Sequence, residues 1–564
     1  MNLFHISNFM LRICYNSTRL SLVERTLVKN FQKISNLFKK TWFECLLVFI
    51  VAILFSRWFW PELTFGDPDT FYHLKLIELL DKGIVREFPW LPFTSLGDFF
   101  IDHHFLYHVL AYPFVKLLGS FVGIKIFTQI IFALGATFLY FLLKQIKAIW
   151  TEIWVLFLII SPTFVFRMHL AKAPGLSVII VLLGIFFLIK KRYKLLGLLS
   201  ALFVWAHGAW LVLPLIISIW VFARVAFKTF IDNVLKEKSI ARLWDSFKKK
   251  EHFYPLAAVV VGCFAGMVIN PYFPNNFLFL WFHNIQIGIL SAGGEISVGA
   301  EWYVSSFKSI LGYNGPFFLT FIFAISLFLF NAYRLRNAGS IIKKEESADV
   351  FAMLSVALVF FVLLVRSRRH IDFFMPLAII ATSMLVTFSA DSIKPFFKAI
   401  FLQLSQVLKW LIALPVVVII FSLIFYQGGI LYKHRAALAD GYSPRYLEGA
   451  SKWIQKNAPK DAIVFHSDWD DFPFLLYHND EARYIIGLDA TLLYVHDKER
   501  YKTWLKIIKG EFADDVVLVI KEKFGAQYVL LDNDHEILGR QLDINPKSKQ
   551  VYKDFESVVF EIKN

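Results

Sequence analysis

The run FECLLVFIVAILFSRWFW, residues 43–60, is long and apolar enough to cross a bilayer as a helix, and further runs of its kind follow it down the chain. Hydrocarbon offers no partner to an unpaired backbone N–H or C=O, so a chain built of such runs folds as a bundle of helices. Hydrophobic residues make up 57% of the 564 and charged residues 18%, with a mean hydropathy of +0.56, which places the chain among polytopic membrane proteins. Ahead of the first run stand Arg12, Arg19, Arg25, Lys29, Lys33, Lys39 and Lys40 against Glu24. That basic flank predicts a cytoplasmic arm over residues 1–42. With no small-residue cleavage site after it, the run reads as an uncleaved anchor.

Run length predicts spans at 43–60, 121–143, 150–162, 175–190, 194–206, 208–224, 254–272, 314–332, 350–366, 371–388 and 405–426, within a membrane region of 43–426. Several are short, so the expected total is about 11–13. Basic turns at Lys144 and Lys147, Lys190 to Lys194, Arg224 to Lys250, Arg334 to Lys344, and Lys394 with Lys398 mark the cytoplasmic side. Loops 61–120 and 273–313 and the C-terminus are then expected outside. The apolar stretch 104–118 breaks this parity if it spans, and is expected to lie at the outer interface as an amphipathic helix.

From residue 427 the composition changes to 19 Lys and Arg against 22 Asp and Glu. The runs AIVFH, YIIGL, AQYVLL and VVFEI predict strands, and YLEGASKWIQKNA and DKERYKTWLKIIKG predict helices, so 427–564 reads as a soluble extracytoplasmic α/β domain. The formal charge of +15 is carried by the loops read as cytoplasmic, which argues against nucleic-acid binding. Cys14, Cys45 and Cys263 all precede the tail, so no disulfide is expected there. The sequon at Asn16 falls in the cytoplasmic arm and is expected to be inert.

The predicted spans are nearly free of charge, unlike those of ion-coupled transporters and lipid flippases, which place ionisable groups or broken helices at mid-membrane. Polar residues gather at the outer rim instead: Asp67 and Asp69, then Asp102, His103 and His104, then Arg167, His169 and Lys172, then His207, Glu295 and Glu301, and last Arg366, Arg368, Arg369 and His370. Three arginines in RSRRH oppose the positive-inside rule, and their fork geometry suits phosphate oxygens of head groups or of a lipid-linked substrate. Asp69 before FYHLKLIELL has the character of a helix N-cap, but a D-x-D pair offers more oxygens than one cap needs. Such a pair suits a divalent cation or an acceptor needing a base. The loop SAGGEISVGAEWY carries Glu295 and Glu301 on an external segment rich in glycine and small residues, which reads either as a solvated loop with incidental acids or as a flap that closes over a substrate. The DHH of 102–104, with His108 a turn later, reads as interfacial hydrogen bonding in preference to a metal site. In the tail, HSDWDDF sets Asp468, Trp469, Asp470 and Asp471 after a strand, a loop suited to holding a ligand or to covering the core with its Trp.

In this order the motifs resemble those of the oligosaccharyltransferase catalytic subunit, within the C-type membrane glycosyltransferases (GT-C), over most of the chain. DTFYHLK at 69–75 is similar to the family's Asp-x-x-Tyr/Phe-x-x-Arg stretch, WAHGAW at 205–210 to its Trp-Gly-Gly-Tyr, ISVGAEW at 296–302 to its flexible-loop motif ending in glutamate, and RRHIDFFMP at 368–376 to its arginine-containing span. SDWDDF at 467–472 stands where the family has Trp-Trp-Asp-Tyr-Gly. The resemblance implies transfer of a sugar or oligosaccharide from a polyprenyl phosphate or pyrophosphate to an acceptor on the outer face, protein asparagine being one possibility and polysaccharide, lipid or Ser/Thr hydroxyls others. It gives Asp69, Asp67 and Glu301 the catalytic and metal-ligand roles, with Mg²⁺ or Mn²⁺ as the implied cofactor. Arg368, Arg369, Arg366, Arg167 and Lys172 would hold the donor phosphate. Trp469, Asp470, Asp468 and Asp471 would hold the acceptor. The implied partners are a lipid-linked donor, membrane lipids and a protein or glycan acceptor. Two departures stand out. The second acidic motif, expected near RMHLAKAPG, is replaced by Lys172 and Pro174, and the tail motif has become Asp-Trp-Asp-Asp-Phe. The rival reading is a noncatalytic membrane scaffold.

Overall fold

Every run read as a span folds as helix in the computed structural model, which describes residues 22–236, 250–281, 296, 299–337, 344–403, 406–512 and 515–563. Glu295 and Asn16 lie outside those residues. Among the described residues seven helices are long and apolar enough to cross a membrane: Thr41–Phe59, Ser120–Gln145, Val212–Thr229, Glu251–Val268, Phe307–Asn331, Glu345–Arg366 and Arg368–Ala390. The pair Thr151–Ile159 and Pro162–Met168 is as apolar and is bent by 66°, the form of a broken span or a re-entrant loop. Pro162 causes the bend, since it lacks the N–H to continue the first helix and starts the second at its N1 position. The break is answered across the bundle by a second one at Asn314, near Pro316, whose φ of −130° interrupts the Phe307–Asn337 helix. Asn314 Oδ1 accepts from Ser161 Oγ at 2.7 Å and its Nδ2 donates to Thr163 Oγ1 at 2.9 Å, so polar groups exposed by the two interruptions satisfy each other.

Three shorter apolar helices complete the bundle, Phe105–Leu118, Pro174–Ile189 and Tyr193–Ala206. The first is the stretch expected at the interface. Its 14 residues reach only about 21 Å at 1.5 Å per residue, short of a bilayer core, and it buries Tyr107, His108, Ala111 and Val115 while Val109, Leu110 and Leu117 stay exposed. Tyr193–Ala206 packs against Lys250–Val268 through glycines and alanine, a contact close enough for backbones to touch.

The tail carries a five-stranded sheet in the order β2-β1-β3-β5-β4, with β1 Ile463–His466, β2 Arg483–Tyr484, β3 Tyr528–Asp532, β4 Ser548–Lys553 and β5 Ser557–Ile562. β1 runs parallel to β2 and β3, while β3–β5 and β5–β4 are antiparallel. Of the four predicted strands, YIIGL contributes only Tyr484, the last residue of the two-residue β2, and then leaves the sheet. The reason is local. A Cβ at Gly487 would lie 2.3 Å from the Phe472 ring, and Leu488 adopts a left-handed φ of 63°, so the chain turns where a strand would continue. β4 was not expected.

The tail is not a separate lobe. Phe474 meets Phe71 edge-on with ring centroids 4.6 Å apart, Tyr477 Oη donates to Glu78 Oε1 at 3.1 Å, and Phe65 and Tyr442 exchange backbone hydrogen bonds of 2.9 and 2.8 Å. One hydrophobic core runs through both parts.

Candidate active site

The helix Asp69–Leu79 begins beneath the tail, and its first turn separates the two aspartates by role. Asp67 Oδ1 accepts the Asp69 backbone N–H at 3.0 Å, so the cap expected of Asp69 is supplied by Asp67. Asp69 stands at N1 with its carboxylate released to a cavity. Thr70 Oγ1 donates to Leu170 O at 2.9 Å and ties this turn to the segment 169–173, where Ala171 holds a left-handed φ of 54°. A non-glycine residue there stores strain, and here it lies immediately before Lys172. The Lys172 ammonium lies 2.7 Å from Asp67 Oδ2 and 2.8 Å from Asp69 Oδ2.

Arg167, one short turn earlier, forks onto Asp372 with Nε at 2.6 Å from Oδ1 and Nη2 at 2.8 Å from Oδ2, and its Nη1 reaches Glu301 Oε2 at 2.9 Å. Glu301 is held in turn by the loop that carries it: Ser367 Oγ donates to Glu301 O at 3.0 Å, Arg368 N to Tyr303 O at 3.2 Å, and the Arg369 guanidinium lies 4.2 Å from the Trp302 ring centroid.

Electrostatics follow from this packing. Burial pushes the Asp67 carboxyl up and Lys172 pulls it back, leaving it at about 6. Burial also opposes charge on Glu301, but Lys172, Arg369 and Arg167 outweigh it and hold that carboxyl well below its usual range. Lys172 is held well above the usual lysine range, since Asp67, Asp69 and Glu301 together overcome its desolvation.

These groups stand between two cavities. The larger, about 790 Å³, is lined by Asp67, Asp69, Lys172, Glu301, Arg368 and the tail residues Asp468, Trp469 and Asp470. The smaller, about 620 Å³, shares Asp69, Arg167, Lys172 and Glu301 and adds Arg369, His370 and the histidines 73, 103, 104 and 207. It also takes in Leu211, Val212, Leu215, Leu363 and Phe373, apolar residues of the span helices or immediately beside them. Arg366 lies outside both, exposed at the end of its span, and Asp471 is buried behind the loop that faces the larger one.

Sequence reasoning did not single out Asp372 or His73. Asp372 follows the arginine cluster by three residues, an acid in the first turn of a span, and that was its signal. His73 Nδ1 lies 2.7 Å from His108 Nε2, and His108 Nδ1 lies 2.7 Å from Asp102 Oδ2. A carboxylate only accepts, so the chain assigns the N–H to His108 Nδ1 and then to His73 Nδ1, leaving the His73 Nε2 lone pair for the smaller cavity. The hydrogen bonding expected of the DHH stretch is thus present in its first residue.

In the tail, Asp468, Asp532 and His535 bring ligand atoms within 4.8 Å of one another, the described group whose spacing would suit a metal ion. Burial, then Asp470 and Asp532, pushes Asp468 up to about 7.

No protein-family model and no curated protein matches the sequence. Solved structures do. The archaeal oligosaccharyltransferase AglB from Archaeoglobus fulgidus, in complex with an inhibitory peptide and a dolichol-phosphate, matches with a TM-score of 0.59 at 14% identity, over 88% of this chain and 70% of that one. The fold is that of an oligosaccharyltransferase. The Archaeoglobus fulgidus enzyme tethered to an acceptor peptide containing the NVT sequon matches at 0.56 and 15% identity, over 88% and 69% of the two chains. Its complex with Zn and sulfate matches at 0.54 and 14%, over 86% and 68%. The resemblance carried by the quoted motifs is therefore borne out as fold: an oligosaccharyltransferase-like bundle of spans joined to a tail whose 468–470 loop forms one wall of the larger cavity.

Proposed function

We propose that the chain is a membrane glycosyltransferase that moves a sugar from a polyprenyl phosphate or pyrophosphate to an acceptor held against the tail. The observation that carries this is the convergence of five separate segments, 67–69, 167–172, 299–303, 368–372 and 468–470, on two cavities that share lining residues. The smaller cavity suits the donor. Its apolar side chains fit an isoprenoid, Arg369 fits the phosphate, and the lone pair of His73 accepts from a sugar hydroxyl. The larger cavity, walled by Asp468, Trp469 and Asp470, suits the acceptor.

The acceptor nucleophile attacks the anomeric carbon, the carbon–oxygen bond to phosphate breaks, and the phosphate leaves with the electron pair. The nucleophile's proton passes to Asp69. Arg369 and Arg368 meet the charge that grows on the leaving group, which is where stabilisation lowers the barrier. Asp468 and Asp471, standing where the family has a tryptophan and a tyrosine, favour an acceptor presenting hydroxyls over an asparagine sequon. The orientation expected from the basic loops puts this chemistry on the outer face.

Mass spectrometry of the protein purified in native lipid tests the reading. A polyprenyl-linked sugar is expected to co-purify, to remain bound in Asp69→Asn, and to be lost from an Arg368→Ala, Arg369→Ala double variant. The same Asp69→Asn protein, folded and loaded, is expected to lose transfer by about 100-fold or more. Absence of any polyprenyl lipid from wild type and variants alike would favour the scaffold reading.

A further inference from the structure

The resemblance implies a divalent cation between Asp67, Asp69 and Glu301, and the residues present do not fit one. Mg²⁺ or Mn²⁺ shared by both aspartates would sit about 2.1 Å from an oxygen of each. The Lys172 nitrogen is already there, at 2.7 and 2.8 Å from the two Oδ2 atoms, with its side chain 15% exposed. Charge gives the same answer. The positive charge of Lys172 already bears on all three carboxylates, Asp67, Asp69 and Glu301, that would hold the cation.

We infer that Lys172 takes the place of the divalent cation, and that this chain works without a metal at its transfer centre. An ammonium has three N–H donors in roughly tetrahedral array. Two are taken by Asp67 and Asp69. The third is the one a phosphate oxygen would accept, and Lys172 lines both cavities. The lysine thus does two of a metal's jobs with a fixed single charge: it orients the D-x-D carboxylates and offers positive charge to the leaving group. The lysine stands in the segment where the resemblance would place a second acidic motif. The phosphate contact rests on the proposed transfer reaction, whereas the exclusion of metal does not.

The test uses purified full-length protein and Mn²⁺ read by electron paramagnetic resonance, with Asp532→Asn in every sample to silence the tail cluster. The protein with Lys172 intact is expected to bind no Mn²⁺ that depends on Asp69. Lys172→Asp is expected to bind about one equivalent, removed by adding Asp69→Asn. Lys172→Met, which frees the two aspartates without adding a ligand, serves if the aspartate variant misfolds, and is expected to bind Mn²⁺ more weakly at the same place. Where transfer is measured, chelator is expected to leave the wild-type rate within about twofold. Mn²⁺ held by the Lys172 protein and released by Asp69→Asn would overturn the assignment, as would loss of transfer in chelator that Mn²⁺ restores. A protein that excludes Mn²⁺ but carries no polyprenyl lipid would refute the transfer reading and leave the lysine assignment standing.

Discussion

At the scale of single residues, D-x-D is a division of labour. Asp67 uses both oxygens, one on the Asp69 N–H and one on Lys172, while Asp69 gives one to Lys172 and keeps the other. In the proposed reaction Asp67 would position Lys172 without touching substrate, and its titration would set an acid limit on activity. Its carboxyl is raised from 3.8 to about 6, so the negative charge that fixes Lys172 is present above that pH and is lost as the pH falls through it. Transfer is expected to fall below about pH 6, with donor binding less affected than turnover. Asp67→Asn is expected to lower the rate at every pH and to abolish that limb; a limb unchanged in the variant would assign it to another group. The aspartates, Glu301 and the arginines were legible in sequence because charged residues beside apolar spans are rare. The pairing of Arg167 with Asp372 was not, since the two are 205 positions apart and only the fold brings them together.

At the scale of elements, the helices were legible because hydrocarbon leaves the chain few alternatives: helix fills most of each of the eleven runs, and among the described residues seven of the runs carry helices long and apolar enough to span, while 175–190 and 194–206 fold as shorter ones. The tail was harder. β4, SKQVYK, is an edge strand with Lys549 and Gln550 exposed, and it has no apolar period to announce it. How helices meet is likewise invisible in run length, although small residues mark it. Gly262 and Gly266, spaced four apart on Lys250–Val268, face Gly197 and Ala201. A Cβ at 262 would lie 2.1 Å from Gly197 O, and one at 266 would lie 2.5 Å from Ala201 O. Those obstacles are backbone atoms, so the helices would have to separate. The Trp205 Nε1 bond to Gly266 O, 2.7 Å, would be lost with the contact, and Trp205 is two residues before His207 of the smaller cavity. Gly262→Val is expected to cost about 1–3 kcal/mol by overpacking and to lower the melting temperature in detergent by several degrees. A variant with wild-type melting would show that this packing is looser than the backbone separation indicates.

At the scale of the molecule, the sequence divides at residue 427 where composition changes, but the fold does not divide there. Contacts between apolar faces far apart in sequence leave no periodic trace, so the docking of the tail could not be read beforehand. It rests on the helix Phe472–His478, which lies against Asp69–Leu79, the helix whose first residue lines both cavities. Phe474 is the centre of that contact, 1% exposed, with ring centroids at 4.6 Å from Phe71, 4.7 Å from Tyr442 and 4.8 Å from Tyr446. Polar contacts surround it: Lys75 Nζ is 3.4 Å from Asp480 Oδ2, and Trp90 Nε1 donates to Asp480 O at 2.8 Å. The cavity wall at 468–470 is therefore referred directly to Asp69 through one short helix, with no linker between them. Phe474→Ala removes the shared ring and is expected to cost about 3–5 kcal/mol at the joint, leaving the sheet and the spans intact. If docking serves to set the acceptor against the donor, this variant should retain its polyprenyl lipid, become sensitive to protease near residues 440–447, and lose transfer. Protease sensitivity with undiminished transfer would instead mean that the tail binds acceptor without needing a fixed position, and that catalysis resides in the membrane region alone.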